Sequence, residues 1–491
     1  MCLDNKFSTL IIFGLGVAIR GIPELLSGVY PVGFDLLAGY SPSMLALPET
    51  YTLNLFGWLY SPLSVFFLWF FWKISYLDLM VFLKIAGPVF YGLFVTSFYY
   101  LLSKGLQWNG KKSFLGALLF LLQPAVLRTG WDQLRLMFGF IFLFVLLAQT
   151  RCDIIRGLNK KPVTVVFLSV LLVLSQQLVA ILFFIVVMFQ LAKFKSEKLL
   201  INKKILLGLF PSALVLGLQL YFAYFVELDF GSHFVPVYLP SGSGFFAFTN
   251  YFLSDPRFFG GNYFTILAYV GNLSLYAVVP LLPLAIKGFF KDKVFFPMLV
   301  WLLVSSYSII VFPFFALSYY WFWIFLLPIP LTIFAINALD GMGFFTKNKF
   351  SKKLFVGYLL LGIVGFGYAS SVLSIGYPYA YTYMPPGLVT SCVPFEDITD
   401  IENAFNWSNV NLQKNVTIIV PENFQGFAAM YSQPDIQLRI APPFLDLGNI
   451  LNLIEDRPEK IYAIFYSDNL GDSNTELLTE FHEVGVYQII Q

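Results

Sequence analysis

One acidic residue stands in a short stretch whose composition could give it a chemical role. Asp35 lies in YPVGFDLLAGYSP, residues 30–42, where proline and glycine favour a turn and apolar side chains surround the carboxylate. A carboxylate that is partly desolvated binds a proton more readily and is a better general base. An aspartate can also cap a short helix that begins at Leu36. The residues alone leave both roles open.

A second charged stretch is RTGWDQLR, Arg128 to Arg135, which places two guanidinium groups and the carboxylate of Asp132 in a short external loop, expected at residues 128–133 between spanning helices. The guanidinium group of an arginine can donate two hydrogen bonds to phosphate oxygens. The Asp132 carboxylate could bind a metal ion together with another ligand, or position an acceptor. The alternative is that the arginines lie on lipid headgroups with Asp132 as their partner. Both alternatives place this stretch at a membrane surface.

The composition of the chain predicts which kind of secondary structure positions these residues. The chain of 491 residues is 58% hydrophobic and only 12% charged, whereas about 25% is charged in soluble proteins. The sequence therefore predicts an all-α polytopic membrane protein. FSTLIIFGLGVAI near the start runs into Arg20 without a cleavage pattern, which predicts an uncleaved first helix.

A change of charge divides the chain into two predicted domains. The 115 residues from Tyr377 onward hold 15 of the 28 acidic residues and only 4 of the 30 basic ones, and they begin with the linker YPYAYTYMPPG. We expect a transmembrane domain over residues 1–376 and a small extracytoplasmic α/β domain over residues 377–491.

Basic clusters between the apolar runs orient the chain. By the positive-inside rule they lie in the cytoplasm, and they occur at residues 104–112, 151–161, 193–204, 287–293 and 347–353. The resulting count is about eleven spanning helices, with the amino terminus inside and the carboxyl terminus outside. Large external loops are then expected at 20–78 and 227–262, with Cys2 and Cys152 inside and Cys392 outside.

Two apolar runs do not have the length of a single span. The run between Lys161 and Lys193 is too long for one helix of about 20 residues, which predicts two short helices that turn at Gln176 and Gln177. One long tilted helix is the alternative. The aromatic run Trp58 to Trp72 is too short to span and is expected to lie in the outer interface.

Most acidic residues of the membrane domain fall in external segments. A charge facing lipid at mid-depth costs about 2.5–3.5 kcal/mol, so these residues are expected at the surface or in a wet cavity. Eight of the 13 are external: Glu24, Asp35, Glu49, Asp78, Asp132, Glu227, Asp229 and Asp255. The first external loop, RTGWDQLR and the amides of Gln176 and Gln177 are expected to converge on one outward-facing site.

The tail has the pattern of alternating strands and helices. Strands are predicted at Val416–Val420, Ile461–Tyr466 and Val484–Ile490, and a helix at Ile398–Trp407. It has neither a glycine-rich phosphate loop nor cysteines and histidines at metal-binding spacing, and His482 is expected to be a surface residue. The tail is expected to cover the site or guide an acceptor, and no nucleic-acid partner is expected.

The motifs resemble those of the GT-C superfamily of integral-membrane glycosyltransferases, in particular archaeal members similar to protein mannosyltransferases and to catalytic subunits of oligosaccharyltransferase. The resemblance lies in RxxPEL from Arg20, YPVGFD followed by YSP, YSPL, RTGWDQLR and SQQ. It implies a GT-C-like fold and transfer of a sugar from a polyprenyl- or dolichyl-phosphate donor to a glycan, lipid or protein acceptor at the outer membrane face.

The resemblance also implies the roles of site residues. The expected catalytic residues are Asp35, Asp132 and Glu24, with Asp35 acting on an acceptor hydroxyl or, together with Asp132, binding Mg²⁺ or Mn²⁺. The expected substrate-binding residues are Arg20, Arg128, Trp131, Arg135, Gln176 and Gln177.

The sequence departs from the family pattern in three places. A histidine that relatives carry is replaced by Gln176 or Gln177, an arginine is missing near Tyr319, and the WWDYG-like motif is absent. These departures argue against an oligosaccharyltransferase. They leave open the alternative of an inactive GT-C-like subunit. The number of helices and the polar residues within the membrane keep a second alternative open, a translocase or transporter of lipid-linked saccharides.

Overall fold

The computed structural model describes most of the chain in segments that include both predicted domains. The described residues are 5–33, 36–52, 63–156, 162–191, 193–195, 198–200, 203–225, 234–236, 281–291, 296–311, 326–344, 349–371, 393, 397–421, 424–433, 435–441, 460–467 and 475–490.

The membrane domain is mainly helical in the described residues, with the short antiparallel strands β1 (Lys193–Lys195) and β2 (Lys198–Leu200) and a third strand, β3 (Phe234–Pro236). Its helices are α1 (Asn5–Leu26), α2 (Ser41–Thr52), α3 (Leu63–Ser75), α4 (Leu79–Tyr100), α5 (Gly110–Leu121), α6 (Pro124–Asp132), α7 (Leu134–Arg156), α8 (Pro162–Ser175), α9 (Gln177–Leu191), α10 (Lys203–Phe225), α11 (Leu282–Lys291), α12 (Phe296–Val311), α13 (Pro328–Gly341) and α14 (Lys349–Ser371). Single π-helical turns at Leu36–Tyr40 and Leu101–Gly105 precede α2 and follow α4.

Helices α4, α5 and α7 contribute the rings of an aromatic core. The rings of Phe98 and Phe120 stack with centroids 4.1 Å apart, and Phe94 stacks on Phe140 at 5.4 Å. Phe144 on α7 continues the cluster to Trp301 on α12. Offset and edge-to-face pairs of this kind add about 0.5–1.5 kcal/mol each beyond area burial.

Several helices are apolar enough for a membrane. Among the described residues, Lys6–Leu26 and Leu79–Gly105 have the length of a span, and the bent pair Gly110–Leu121 and Ala125–Trp131 would make a third. Large apolar side chains such as Leu10, Phe210 and Val364 are exposed on α1, α10 and α14, as expected of lipid-facing positions. The chain is a membrane protein, and the number of eleven spans stays a prediction.

The region expected as the loop RTGWDQLR is helical. Helix α6 runs from Pro124 to Asp132 and is bent by 69° from α5. Tyr91 on α4 stabilises the bend, since its hydroxyl donates a hydrogen bond to Leu121 O at 2.6 Å. A Cβ at Gly130 would overlap the Tyr91 ring. The expectation of a loop at residues 128–133 was therefore wrong for residues 128–132, because Pro124 at the first position of α6 favours a helix and α6 buries one face against α4.

The run between the basic clusters 151–161 and 193–204 forms two short helices, α8 and α9, and the predicted turn of the chain between them at Gln176 and Gln177 stays a prediction. The two helices are interrupted at Gln176, although Gln176 N–H still bonds Leu172 O at 3.0 Å. Whether both helices cross stays a prediction. The predicted interfacial segment forms α3 from Leu63 onward, and residues 53–62 lie outside the described part of the chain.

The tail is an α/β domain, and its predicted elements are confirmed. Strands β4 (Thr417–Pro421), β6 (Ile461–Tyr466) and β8 (Val484–Ile489) and helix α15 (Ile398–Asn411) match the expected segments. The remaining elements are β5 (Gln437–Ala441), β7 (Thr475–Phe481) and α16 (Gln425–Tyr431). The predicted boundary at residue 377 lies outside the described residues.

One strand of the tail's sheet comes from the membrane domain. The strand order is β3-β5-β4-β6-β8-β7, where β3 is Phe234–Pro236 of the large external loop 227–262. Strand β3 pairs in parallel with β5, and β6, β8 and β7 are antiparallel. Pro236 is tolerated there because β3 lies at the edge.

Candidate functional site

The candidate site is organised around the side chain of Arg20, which is fully buried near the end of α1. Its Nε donates to Gly130 O at 2.8 Å, and its Nη2 donates to Trp131 O at 2.9 Å and to Val32 O at 3.0 Å. One guanidinium thus joins the end of α6 to the first external loop. This planar fork of five donors can bind carbonyls from several directions at once.

Glu24 completes this network one helical turn after Arg20. Its Oε1 lies 2.7 Å from Arg20 Nη1, and its Oε2 accepts a hydrogen bond from Val32 N–H at 3.0 Å. Both carboxylate oxygens are therefore engaged, and only 3% of the residue is exposed. These contacts favour a positioning role for Arg20 and Glu24 over direct contact with a substrate.

Lys84 on α4 supports the same loop and was not singled out from the sequence. Its Nζ donates to Gly28 O at 2.6 Å, to Ser27 Oγ at 2.8 Å and to Tyr30 O at 3.2 Å. A cation is favourable among the free carbonyls at the end of α1. The available signal was a lone lysine inside an apolar run, because such residues in membrane helices nearly always have a partner.

The turn before Asp35 has the geometry that its composition predicts. Gly33 has a φ of 129°, a value that L-residues with a side chain rarely adopt. A π-helical turn begins at Leu36, as the helix-cap alternative requires. Asp35 itself lies outside the described residues, so the choice between base and cap stays a prediction.

The first four residues of RTGWDQLR, Arg128 to Trp131, are buried. Arg128 is 7% exposed and Trp131 is 2% exposed, which argues against Arg128 lying on lipid headgroups. The indole N–H of Trp131 has no hydrogen-bond partner in the described part of the chain. Asp132 is the last residue of α6, and its side chain lies outside the described residues.

Tyr40 makes a second link between the first external loop and this region. Its hydroxyl accepts a hydrogen bond from the Arg135 backbone N–H at 2.7 Å, at the start of α7. The Arg135 side chain is half-buried. The motif YSP thus contributes the tyrosine that fixes where α7 begins.

The amides of Gln176 and Gln177 lie at the break between α8 and α9, beside α7. A Cβ at Gly139 would lie 2.8 Å from Gln176 Cβ, so the break packs directly on α7. Gly139 follows Arg135 by four residues, which is one helical turn and about 6 Å along the axis. The three stretches that sequence reasoning grouped therefore occur at one end of α7.

Other predicted acidic positions have different roles or are not described. Asp78 caps α4, since its Oδ1 accepts from Met80 N–H at 2.8 Å. Glu227, Asp229, Asp255 and the side chain of Glu49 lie outside the described residues. Within the described residues no three acidic, histidine or cysteine side chains gather as a metal-binding group. The Mg²⁺ or Mn²⁺ expected at Asp35 and Asp132 thus stays a proposal.

Comparison with known proteins gives a structural likeness only. No protein-family model matches the sequence, and no curated protein matches it. A cryo-EM structure of the arabinofuranosyltransferase AftD from Mycobacteria matches with a TM-score of 0.53 and 11% sequence identity, over 100% of this chain and 40% of that one. A second structure of that enzyme, carrying a substitution, gives 0.49, 12%, 100% and 42%.

At this identity the likeness concerns the fold. The chain spans about two fifths of the length of the mycobacterial enzyme, and it aligns along its whole own length. The archaeal and mannosyltransferase details of the sequence resemblance are not tested by this likeness. The chain therefore shares its fold with the part of the mycobacterial enzyme to which it aligns, and the GT-C assignment made from its motifs stays a prediction.

Proposed function

We propose that this protein is a membrane glycosyltransferase that transfers a sugar from a polyprenyl- or dolichyl-phosphate donor to an acceptor at the outer membrane face. The observation that carries the proposal is the Arg20 network, which joins the two segments that bear Asp35 and Asp132. The shared fold with an arabinofuranosyltransferase supports the reaction class.

The network holds backbone atoms that are close in sequence to both carboxylates. Asp132 follows Trp131 directly, and Asp35 follows Val32 by three residues. Three residues reach at most about 11 Å. Since Arg20 bonds both Trp131 O and Val32 O, we propose that Asp35 and Asp132 act together with Arg128 and Arg135 on a phosphate-linked donor.

The proposed reaction is a single displacement. Asp35 accepts the proton of an acceptor hydroxyl while that oxygen attacks the anomeric carbon of the donor sugar, and the bond from this carbon to the phosphate oxygen breaks. The electron pair leaves on the carrier phosphate, where Arg128 and Arg135 stabilise the growing charge. The configuration at the anomeric carbon inverts. Trp131, Gln176 and Gln177 are assigned to binding the donor.

A divalent cation would supply positive charge beside the phosphate of the donor, and Asp35 and Asp132 would be its oxygen ligands. Glu24 is not assigned to this cation, because its oxygens bind Arg20 and the Val32 N–H. The dependence of transfer on Mg²⁺, Mn²⁺ and chelator distinguishes this arrangement from metal-free base catalysis.

The test is transfer of radiolabelled sugar from a panel of polyprenyl-phosphate donors to glycan, lipid and protein acceptors by purified protein. We expect Asp35→Asn to lower the rate by at least about 100-fold, the usual range for loss of a general base. Asp435→Asn is the matched control, because this tail aspartate pairs with an exposed lysine, Lys414.

Two results would contradict the proposal. Transfer by Asp35→Asn at the wild-type rate would refute the assigned site. Absence of both donor binding and transfer in the wild type, across the whole panel, would refute the function and favour the translocase or inactive alternatives.

A further inference from the structure

Two adjacent leucines after Asp35 are buried in two different hydrophobic cores. Leu36 is fully buried among the side chains of the membrane domain. Leu37 is 1% exposed, and it belongs to the core of the C-terminal domain together with residues of α15, α16, β4 and β6. Burial of a leucine contributes about 1.5–3 kcal/mol. The segment directly after Asp35 is therefore fixed between the two domains.

The segment before Asp35 is also attached to the C-terminal domain. The Tyr30 hydroxyl donates a hydrogen bond to Glu402 Oε2 of α15 at 3.0 Å, and Tyr30 also interacts with the side chain of Tyr431 on α16. Burial raises the pKa of Tyr30, and Tyr431 and Glu402 raise it further. The hydroxyl therefore stays protonated as a donor throughout the neutral and moderately alkaline range.

The C-terminal domain makes further contacts with the external segments of the membrane domain. Helix α16 packs on α2 and on the π-helical turn Leu36–Tyr40, and β3 of the second external loop adds a strand to the sheet. The C-terminal domain thus contacts both large external segments in their described parts. If the C-terminal domain only covered the site, its hydrophobic core would not need Leu37 from the first external loop.

We propose that the C-terminal domain is a positioning element of the catalytic site, which holds the Asp35 loop through Leu37 and through the Tyr30–Glu402 hydrogen bond. This inference rests on the proposed function, since it concerns the same loop. Glu402 and Leu37 are positioning residues: they fix Tyr30 and the turn at Leu36–Tyr40 on either side of Asp35, and they do not contact the donor. A misplacement of about 1 Å at a reacting group can cost about 100-fold in rate.

The first experiment measures loop order without any substrate. Hydrogen–deuterium exchange is followed on the full chain in lipid nanodiscs, for peptides that cover residues 27–40. We expect Glu402→Ala to speed exchange in the loop about tenfold, because a hydrogen bond to a charged acceptor is lost. Glu402→Gln keeps an acceptor oxygen and is expected to remain within about threefold of wild type.

The matched control is Glu476→Ala, which removes the same charge from an exposed position of β7. It is expected to leave loop exchange unchanged, and peptides of α4 are expected to be unchanged in every variant. Tyr30→Phe removes the same hydrogen bond from the donor side. It therefore repeats the test should Glu402→Ala fold poorly.

The second experiment measures transfer in the same variants. We expect kcat to fall about tenfold in Glu402→Ala while the KM for donor changes less than threefold, with recovery in Glu402→Gln. Unchanged exchange in both Glu402→Ala and Tyr30→Phe would overturn the proposal, as would faster exchange with wild-type kcat. If the wild type transfers no sugar but Glu402→Ala and Tyr30→Phe still exchange faster, the C-terminal domain does hold the loop. In that case the proposed function is refuted and the positioning of the loop is not.

Discussion

Arg20 and Glu24 form a buried ion pair whose main contribution is to the arrangement of the site. Truncating one partner of such a pair leaves an uncompensated charge and costs about 3–5 kcal/mol. Arg20→Met would also leave the carbonyls of Val32, Gly130 and Trp131 without their donor. We therefore expect it to lower the free energy of unfolding by at least this amount, measured by SDS titration of detergent-solubilised protein.

Two further variants distinguish the effect of the unpaired charge on the free energy of unfolding from the effect of lost packing. Arg20→Met combined with Glu24→Gln is expected to recover about 1–2 kcal/mol, because no buried charge then lacks a partner. Lys112→Met removes a similar contact to Asp340, whose side chain is 44% exposed, and should cost less than about 1 kcal/mol. Equal losses in Arg20→Met and Lys112→Met would contradict the assigned role.

The sequence marked several of these residues without revealing their partners. Arg20, Arg128 and Trp131 were singled out by type and position, yet the bond from Arg20 to Gly130 joins residues 110 positions apart. No local pattern predicts such a pair. The resemblance implied that Arg20 and Arg128 both bind substrate, whereas the contacts of Arg20 with Gly130, Trp131 and Val32 favour a positioning role for it.

Helix α6 carries part of the site because it packs closely on Tyr91 of α4. Alanine in place of glycine normally favours a helix by up to about 1 kcal/mol. At Gly130, however, the new Cβ would overlap the Tyr91 ring, and overpacking costs about 1–3 kcal/mol. We expect Gly130→Ala to lower both the melting temperature and the rate of sugar transfer.

The control for this prediction is Gly217→Ala on α10, where a Cβ meets nothing within 4 Å. This variant should be neutral or slightly stabilising in the same thermal scan. A Gly130→Ala protein as stable as Gly217→Ala would show that α6 can move away from Tyr91 without loss.

Elements with local signals were predicted well, and those set by tertiary packing were not. The apolar strands β4 and β6 and the helix α15 follow from periodicity and flanking residues. Helix α6 was missed because RTGWDQLR is polar and short, and its helical form depends on Pro124 and on the buried Tyr91 contact. The break at Gln176 was found because polar amides interrupt an otherwise apolar run.

At the scale of the whole molecule, the contact between the two domains could not be predicted from the sequence. The sequence indicated an external tail near the site, but Leu36 and Leu37 have the same chemical character. Nothing in their order predicts that one joins the membrane core and the other the tail core. The charge asymmetry at Tyr377 marked the division between domains and gave no information on how they contact each other.

The orientation of the chain can be tested with its own cysteines. We expect a membrane-impermeant maleimide to label Cys392 in intact cells, and to label Cys2 and Cys152 only after detergent is added, because the positive-inside rule places the basic clusters in the cytoplasm. Each cysteine is assayed alone, with the others changed to serine. Glu476→Cys, at an exposed position of β7, is a second reporter for the tail. Labelling of Cys152 in intact cells, or of Glu476→Cys only after detergent, would reverse the orientation and remove the outer-face site, since Asp35 and the tail that holds its loop must lie on one side.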